Sequence, residues 1–294
     1  MRKLLPFLLL TQLSYGMVRS GVSPIEKQAL LDLYHNTLGT QWTVSWDLSN
    51  PVSEWSGVTV DKGHVVTLDL FNNNLSGTLP ESIGALKHLK VLNLAFNSLQ
   101  GALPQSIGAL HQLEVLRLGK NRLTGTIPPN LGQLKELRVL DLFHNKLSGT
   151  IPTSLGLLNR LQVLQLSYNF LSGSIPQTLG ELKALQRLEL ADNKLSGEVP
   201  QSIVGLDQLQ MLALSDNRLS GSFPQELLRL PKLQLVQLQH NNFTADTATK
   251  RRTPTDLALF DYDGSDTLVE KRRFLQLHVS GNFGTADTKF EDVD

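Results

Sequence analysis

Eight asparagines, Asn73, Asn97, Asn121, Asn145, Asn169, Asn193, Asn217 and Asn241, stand 24 residues apart, each inside the same frame of leucines. A domain closed around one core has no use for a single polar residue at so long a fixed period. A stack of like coils needs it once per coil. The period therefore confines this chain to a solenoid.

Written out once, the unit is Leu113-x-x-Leu116-x-Leu118-x-x-Asn121-x-Leu123-x-Gly125-x-Ile127-Pro128-x-x-Leu131-Gly132-x-Leu134, and it restarts at Leu137. Leu116 and Leu118 alternate with Val115, Arg117 and Gly119, a period of two that predicts a short strand with one face buried. Alone, such a strand cannot bury its leucines; stacked on its neighbours it joins a parallel sheet with a continuous leucine core. Each repeated Asn brings one carbonyl and two amide donors to the point where the strand turns away. It can there satisfy backbone groups that lack a sheet partner. Gly125 suits a backbone geometry denied to other residues, and Pro128 fixes φ on the far side of the coil. Val204 and Leu228 replace the second glycine of the unit, and Ala245 replaces the first after the eighth Asn; Leu228 and Ala245 read as the array beginning to end.

The unit resembles the plant-type leucine-rich repeat, including the Leu123-x-Gly125-x-Ile127-Pro128 step that separates this subtype from others. The resemblance implies an α/β solenoid, a right-handed, horseshoe-like superhelix with a parallel concave sheet and a helical N-terminal cap. It also implies recognition, as in the ectodomains of plant receptor kinases and in polygalacturonase inhibitor proteins. Ala29-Leu30-Leu31, Trp42 and Trp55-Ser56-Gly57-Val58 are similar to the cap that precedes such repeats. The plant caps carry two cysteines where Ser53 and Val60 stand here; similar cysteine-free caps occur in algal, oomycete and bacterial relatives.

The expected organisation is a signal peptide over 1–16, an N-terminal cap over 22–64, eight repeats over 65–244, and a C-terminal cap and tail over 245–294. Met1-Arg2-Lys3, the apolar run Leu4 to Leu10 and the small residues ending at Gly16 have the parts of a cleaved secretory signal, and the run is too short to span a membrane. A secreted, extracellular or cell-wall monomer without a transmembrane helix is the expectation. Formal net charge is zero over 294 residues, so no basic excess points to nucleic acid. The chain contains no cysteine, which excludes thiol catalysis and thiolate zinc sites. In the cap, Ser23-Pro24-Ile25-Glu26 reads as a capping box opening an amphipathic helix, and Trp42, Trp46 and Trp55 read as a plug over the first coil. Beyond the repeats, Asp261-x-Asp263-Gly264-Ser265-Asp266 fails as an EF-hand loop, because Asp266 and Arg272 occupy its sixth and twelfth places. No metal site and no cofactor are expected.

Function on a solenoid is expected on the concave strand face, here presented by eight repeat strands. Three columns of variable residues face outward there. From them the candidate ligand-binding residues are Phe71, Phe96, Arg117, Lys120, Asp141, Phe143, His144 and Tyr168, followed by an acidic patch of Glu189, Asp192 and Asp216. Aromatic and arginine side chains are the types that dominate binding hot spots. Arg122, Lys146, Lys194 and Arg218, interrupted by Phe170, line one edge and suit an acidic partner. Asp141 and Glu189 are the best carboxylate pair for hydrolysis, roughly 10 Å apart on an open surface where raised acidity constants are hard to arrange. No catalytic residue is assigned. Asn74 and Asn242 lie in glycosylation sequons. These readings converge on a binding protein for a peptide, glycan or protein ligand; a structural or adhesive matrix protein is the alternative.

Overall fold

The computed structural model describes residues 21–244 and the backbone of the strand Leu259–Asp261. The expected signal segment, the two basic triplets and the acidic stretch after Asp261 lie outside the described residues.

Each coil opens with a three-residue strand such as Val115–Arg117, turns at the repeated Asn, and passes a short outer strand such as Arg122–Leu123. It returns through a 3-10 turn such as Pro129–Gln133. Proline precedes these turns, its fixed φ starting the 3-10 segment with no hydrogen bond lost. Parallel pairing aligns equivalent residues, so Leu92, Leu116, Leu140 and Leu164 sit side by side. In the coil from Leu113 to Leu134, Leu113, Leu116, Leu118, Leu123, Leu131 and Leu134 are all fully buried. The core is therefore a single column of leucine running the length of the stack.

The concave sheet has ten strands where eight repeat strands were expected. Val58–Asp61 pairs antiparallel with His64–Asp69 at the front, and Leu259–Asp261 pairs parallel with Leu235–Gln237 at the back. A turn at Lys62 and Gly63, both at positive φ, makes the front hairpin.

The repeated asparagines are crosslinks between coils. Asn121 Oδ1 accepts the Leu99 N–H of the preceding coil at 2.9 Å, while its Nδ2 donates to Leu94 O of that coil and Leu118 O of its own, both at 3.0 Å. The same pattern recurs at Asn145, Asn169 and Asn217. At the front, Asn73 has no preceding coil and bonds Val44 instead, its Oδ1 accepting the N–H at 2.6 Å and its Nδ2 donating to the carbonyl at 3.1 Å.

Two glycines set how closely coils approach. Gly125 sits at φ 78°, the left-handed region where a side chain is strained. Gly156 keeps a negative φ, yet a Cβ there would collide with Thr178 O of the next coil. Val204 takes that place in the sixth coil, and the 3-10 turn Gln225–Arg229 of the seventh packs much less against Gln201–Gly205 than other neighbouring turns do on each other. A side chain where glycine allows contact wedges the two turns apart.

At the front, helix α1 (Pro24–Asn36) buries Ala29, Leu30, Leu33 and Tyr34. Its capping box is only half made. Ser23 Oγ accepts the Glu26 N–H at 3.2 Å, but the Glu26 carboxylate turns away from the cap to the Val65 N–H and His64. Tyr34, Trp42, Trp46 and Trp55 form one aromatic stack with centroids 4.7 to 6.0 Å apart. Every indole N–H finds a backbone carbonyl, of Thr37, Ser56 and Asn50 respectively.

Candidate functional site

The third variable column has an unusual backbone. Asn72, Phe96, Lys120, His144, Tyr168, Asp192, Asp216 and His240 all have φ between 48° and 59°. The turn after each strand demands this left-handed conformation, in which glycine would be free of strain and other residues lose of order 1 kcal/mol or more. No glycine occupies any of the eight places. The turn thus holds Phe96, Lys120 and Tyr168 at the rim of the concave sheet in a conformation their residue types rarely adopt, whereas the Asn, Asp and His at the other five places tolerate it best after glycine.

Adjacent coils bring these side chains together. Phe71 and Phe96 lie 5.0 Å apart between ring centroids, and Phe143 and Tyr168 meet edge to face at 5.2 Å. Lys120 Nζ bridges the two pairs, 5.9 Å from both the Phe96 and Phe143 rings. His144 joins at 5.7 Å from Phe143. The result is one aromatic and cationic ribbon over coils one to five. Beside it runs a groove of about 590 Å3, lined by Lys120, Arg122, His144, Lys146, Tyr168 and Phe170 above the asparagines. Lys194 sits 5.0 Å over the Phe170 ring, while Arg122 and Lys146 form no ion pair among the described residues.

The electrostatics change along the column. Burial, with Lys120 beside it, lowers the His144 pKa, so the ring is neutral through a wider pH range. Burial raises Tyr168, and the neighbouring Asp192 adds to the effect. Burial raises Asp192 too, with Asp216 as the next cause, so the acidic patch repels itself. His240 Nδ1 lies 2.6 Å from Asp216 Oδ1 and closes that end.

Two residues of the sequence-level site behave differently from an open, solvated surface. Asp141, half-buried against Gly119, is pushed up to about 6 chiefly by desolvation of its carboxylate, with Glu189 adding to it; the Phe143 N–H at 3.0 Å and Arg117 offset only part of this. A raised pKa is therefore attained on this face, since a glycine one coil back leaves room for the carboxylate to pack against it. Glu189 is only 7% exposed, with Arg187 Nη2 2.6 Å from its Oε1, and stands apart from the half-buried acids Asp192 and Asp216.

The family model described as a leucine-rich repeat region matches residues 64–174, and that described as leucine rich repeat matches 184–206 and 208–230. A solved plant ice-binding protein is 30% identical at a TM-score of 0.66, over 76% of this chain and 80% of that one. The chain belongs to the leucine-rich repeat family. This leucine-rich repeat chain is also similar to PEPR1, crystallised with AtPEP1, at 36% identity and a TM-score of 0.69 over 74% of this chain and 32% of that one. The ectodomain of the Arabidopsis receptor kinase HAESA, crystallised with an N-terminally extended IDA peptide hormone, is 31% identical at a TM-score of 0.62, over 74% and 41%. The chain spans about a third of the length of the receptors it matches first. No curated protein matches it.

Among the described residues, no helix of this leucine-rich repeat chain is long and apolar enough to cross a membrane. Both sequon asparagines are exposed, but Asn74 Nδ2, the atom a glycan would occupy, already donates to Gln41 O at 2.8 Å. Sequence columns identified which residues share the concave face. The Asn, Asp and His at five of the eight third-column places are types that tolerate a left-handed backbone, a signal those columns held and that was passed over; Phe96, Lys120 and Tyr168 gave none. Also passed over were His64 and His88, which occupy the same repeat position on successive coils.

Proposed function

We propose that this chain is a binding protein whose concave face seats an extended peptide across coils one to five. The carrying observation is the continuous ribbon Phe71, Phe96, Lys120, Phe143, Tyr168, in which Phe96, Lys120 and Tyr168 are held at left-handed positions against the preference of their residue types. Aromatic faces take up apolar side chains, and Lys120, Arg122 and Lys146 supply positive charge for a carboxylate or another acidic group at the groove. Such a ligand is apolar along part of its length and acidic near the basic edge. The similar HAESA ectodomain was crystallised with a peptide hormone and RGFR1 is a plant peptide hormone receptor, which supports a peptide over a glycan. The same reading assigns the protein to the extracellular space as a monomeric scaffold without catalysis. Residues 22–64 act as its front cap, 65–244 as its repeats and 245–294 as its terminal segment.

Selection of a random peptide library on the immobilised protein tests this. Enriched sequences are expected to pair aromatic or aliphatic residues with Asp, Glu or a free C-terminus. Phe143→Ala with Tyr168→Ala should weaken the best of them by about 30-fold or more, as two hot-spot aromatics would. Equal binding by the double variant sinks the proposed site.

A second reading rests on the outer strands. Ser76, Thr124, Ser148, Ser172, Ser196 and Ser220 recur once per coil, with Thr78, Thr126, Thr150 and Ser174 two residues further on, interrupted by Gln100, Ala102 and Glu198. Coils stacked at about 4.8 Å turn these into a two-column hydroxyl array that can order water. The similarity to a plant ice-binding protein of comparable length favours testing it. In that case micromolar protein slows ice recrystallisation and Thr150→Lys abolishes the effect; unchanged grain growth with the wild type removes this reading.

A further inference from the structure

We propose that Glu26, His64 and His88 form a binding site for a zinc-class divalent cation, where the front cap meets the first two coils. The repeat creates half of it. His64 and His88 are 24 residues apart, so coil stacking lays one imidazole on the other, with centroids 3.7 Å apart and planes 26° from parallel. Helix α1 crosses both and brings Glu26 Oε1 to 3.2 Å from His64 Nδ1 and 3.7 Å from His88 Nδ1. One ligand atom from each of the three residues lies within 4.8 Å of the others.

The hydrogen bonding leaves this cluster unfinished. Glu26 is 4% exposed, and its Oε2 accepts the Val65 N–H at 3.3 Å, which turns Oε1 toward the two rings. A proton on His64 Nδ1 serves the His64–Glu26 pair alone. His88 Nδ1 is shielded from solvent and has no hydrogen-bond partner, although it faces the same oxygen. A cation accepting one lone pair from each residue satisfies all three at once. Two imidazoles and a carboxylate are a donor set for zinc and neighbouring transition metals, which leave a coordination position to water. Magnesium and calcium require oxygen donors and are poorly served by it. Bond lengths of about 2.0 to 2.1 Å place tetrahedral ligand atoms about 3.4 Å apart, so closing the site draws these atoms together and turns the two stacked rings until their in-plane lone pairs meet at one point. Both imidazoles are about 40% exposed on their outer sides, which gives an ion its path. The backbone N–H on Glu26 Oε2 is the outer contact that orients such a ligand. None of the three residues lines the groove of the concave face, so the cation would clamp the cap to the coils independently of peptide binding.

The test uses the full chain without an affinity tag, freed of metal with EDTA and titrated with ZnCl2. Wild-type protein is expected to take up one equivalent by calorimetry and to melt about 5 °C or more higher at a hundredfold excess over Kd, with MgCl2 having no such effect. His64→Asn with His88→Asn changes two partly exposed side chains, and its circular dichroism spectrum reports whether it has folded like the wild type. In that variant the zinc shift should vanish; Glu26→Gln should weaken zinc uptake at least tenfold. No shift in the wild type, an equal shift in the folded double variant, or an equal response to magnesium overturns the proposal.

Discussion

Asn145→Leu is expected to destabilise the protein by about 3 kcal/mol, a large effect for a nearly isosteric change on one coil. The Asn145 side chain is 7% exposed; its Oδ1 accepts the Leu123 N–H at 3.0 Å, and its Nδ2 reaches Leu118 O, Leu142 O and Phe143 O at 3.0 to 3.2 Å. These partners differ in what they lose. Leu118 O keeps Asn121, Leu142 O keeps Asn169 and Phe143 O keeps the Lys120 N–H. The Leu123 N–H has no second acceptor and is buried, so it bears the penalty of an orphaned donor, about 1 to 3 kcal/mol, with further loss for the severed bonds. Urea denaturation of the two proteins measures the difference. Asn241→Leu, at the half-buried end of the ladder, should lose less. A change under 1 kcal/mol for Asn145→Leu would mean that the asparagines are not what joins the coils.

Asp141→Asn should act in the opposite direction, stabilising the protein by up to about 3 kcal/mol at pH 7. The folded pKa of about 6 stands above the ordinary value of 3.8. As pH rises between these values the unfolded chain has released its proton while the folded chain still holds it, so folding stability falls across this window. The deficit is complete above pH 6 and absent below pH 3.8, where both states are protonated. Asparagine keeps an oxygen for the Phe143 N–H and has no charge to bury. The gain over wild type should therefore grow from near zero at pH 4 to its full value at pH 7. Asp32, Asp47 and Glu81 have lowered pKa values from hydrogen bonds with their neighbours, and their opposing pH dependence cancels when variant and wild type are subtracted. A gain that is flat with pH would show that the carboxylate is not held out of water.

Much of the architecture was legible because its causes are local and repeated. Leu116 and Leu118 alternate, Asn121 returns every 24 residues, and Gly125 and Pro128 punctuate the coil; stacking any two such units generates the rest. The membership of the concave columns follows from the same arithmetic, so Phe143 and Tyr168 could be placed as neighbours before any coordinates. Features outside the repeat were less legible. The antiparallel strand Val58–Asp61 and the turn of Glu26 away from its own helix cap depend on how a unique segment docks on a periodic one.

The sequence by itself determined the solenoid, the leucine column and which side chains share a face, since each follows from a period that the backbone must repeat. Only the tertiary structure decided depth and charge. Asp141 packs against Gly119, Lys120 spans two aromatic pairs, and Glu26 reaches two stacked imidazoles. Each of these depends on distances between coils, or between cap and coil. Such distances arise from packing and not from the order of residues within any one turn of the stack.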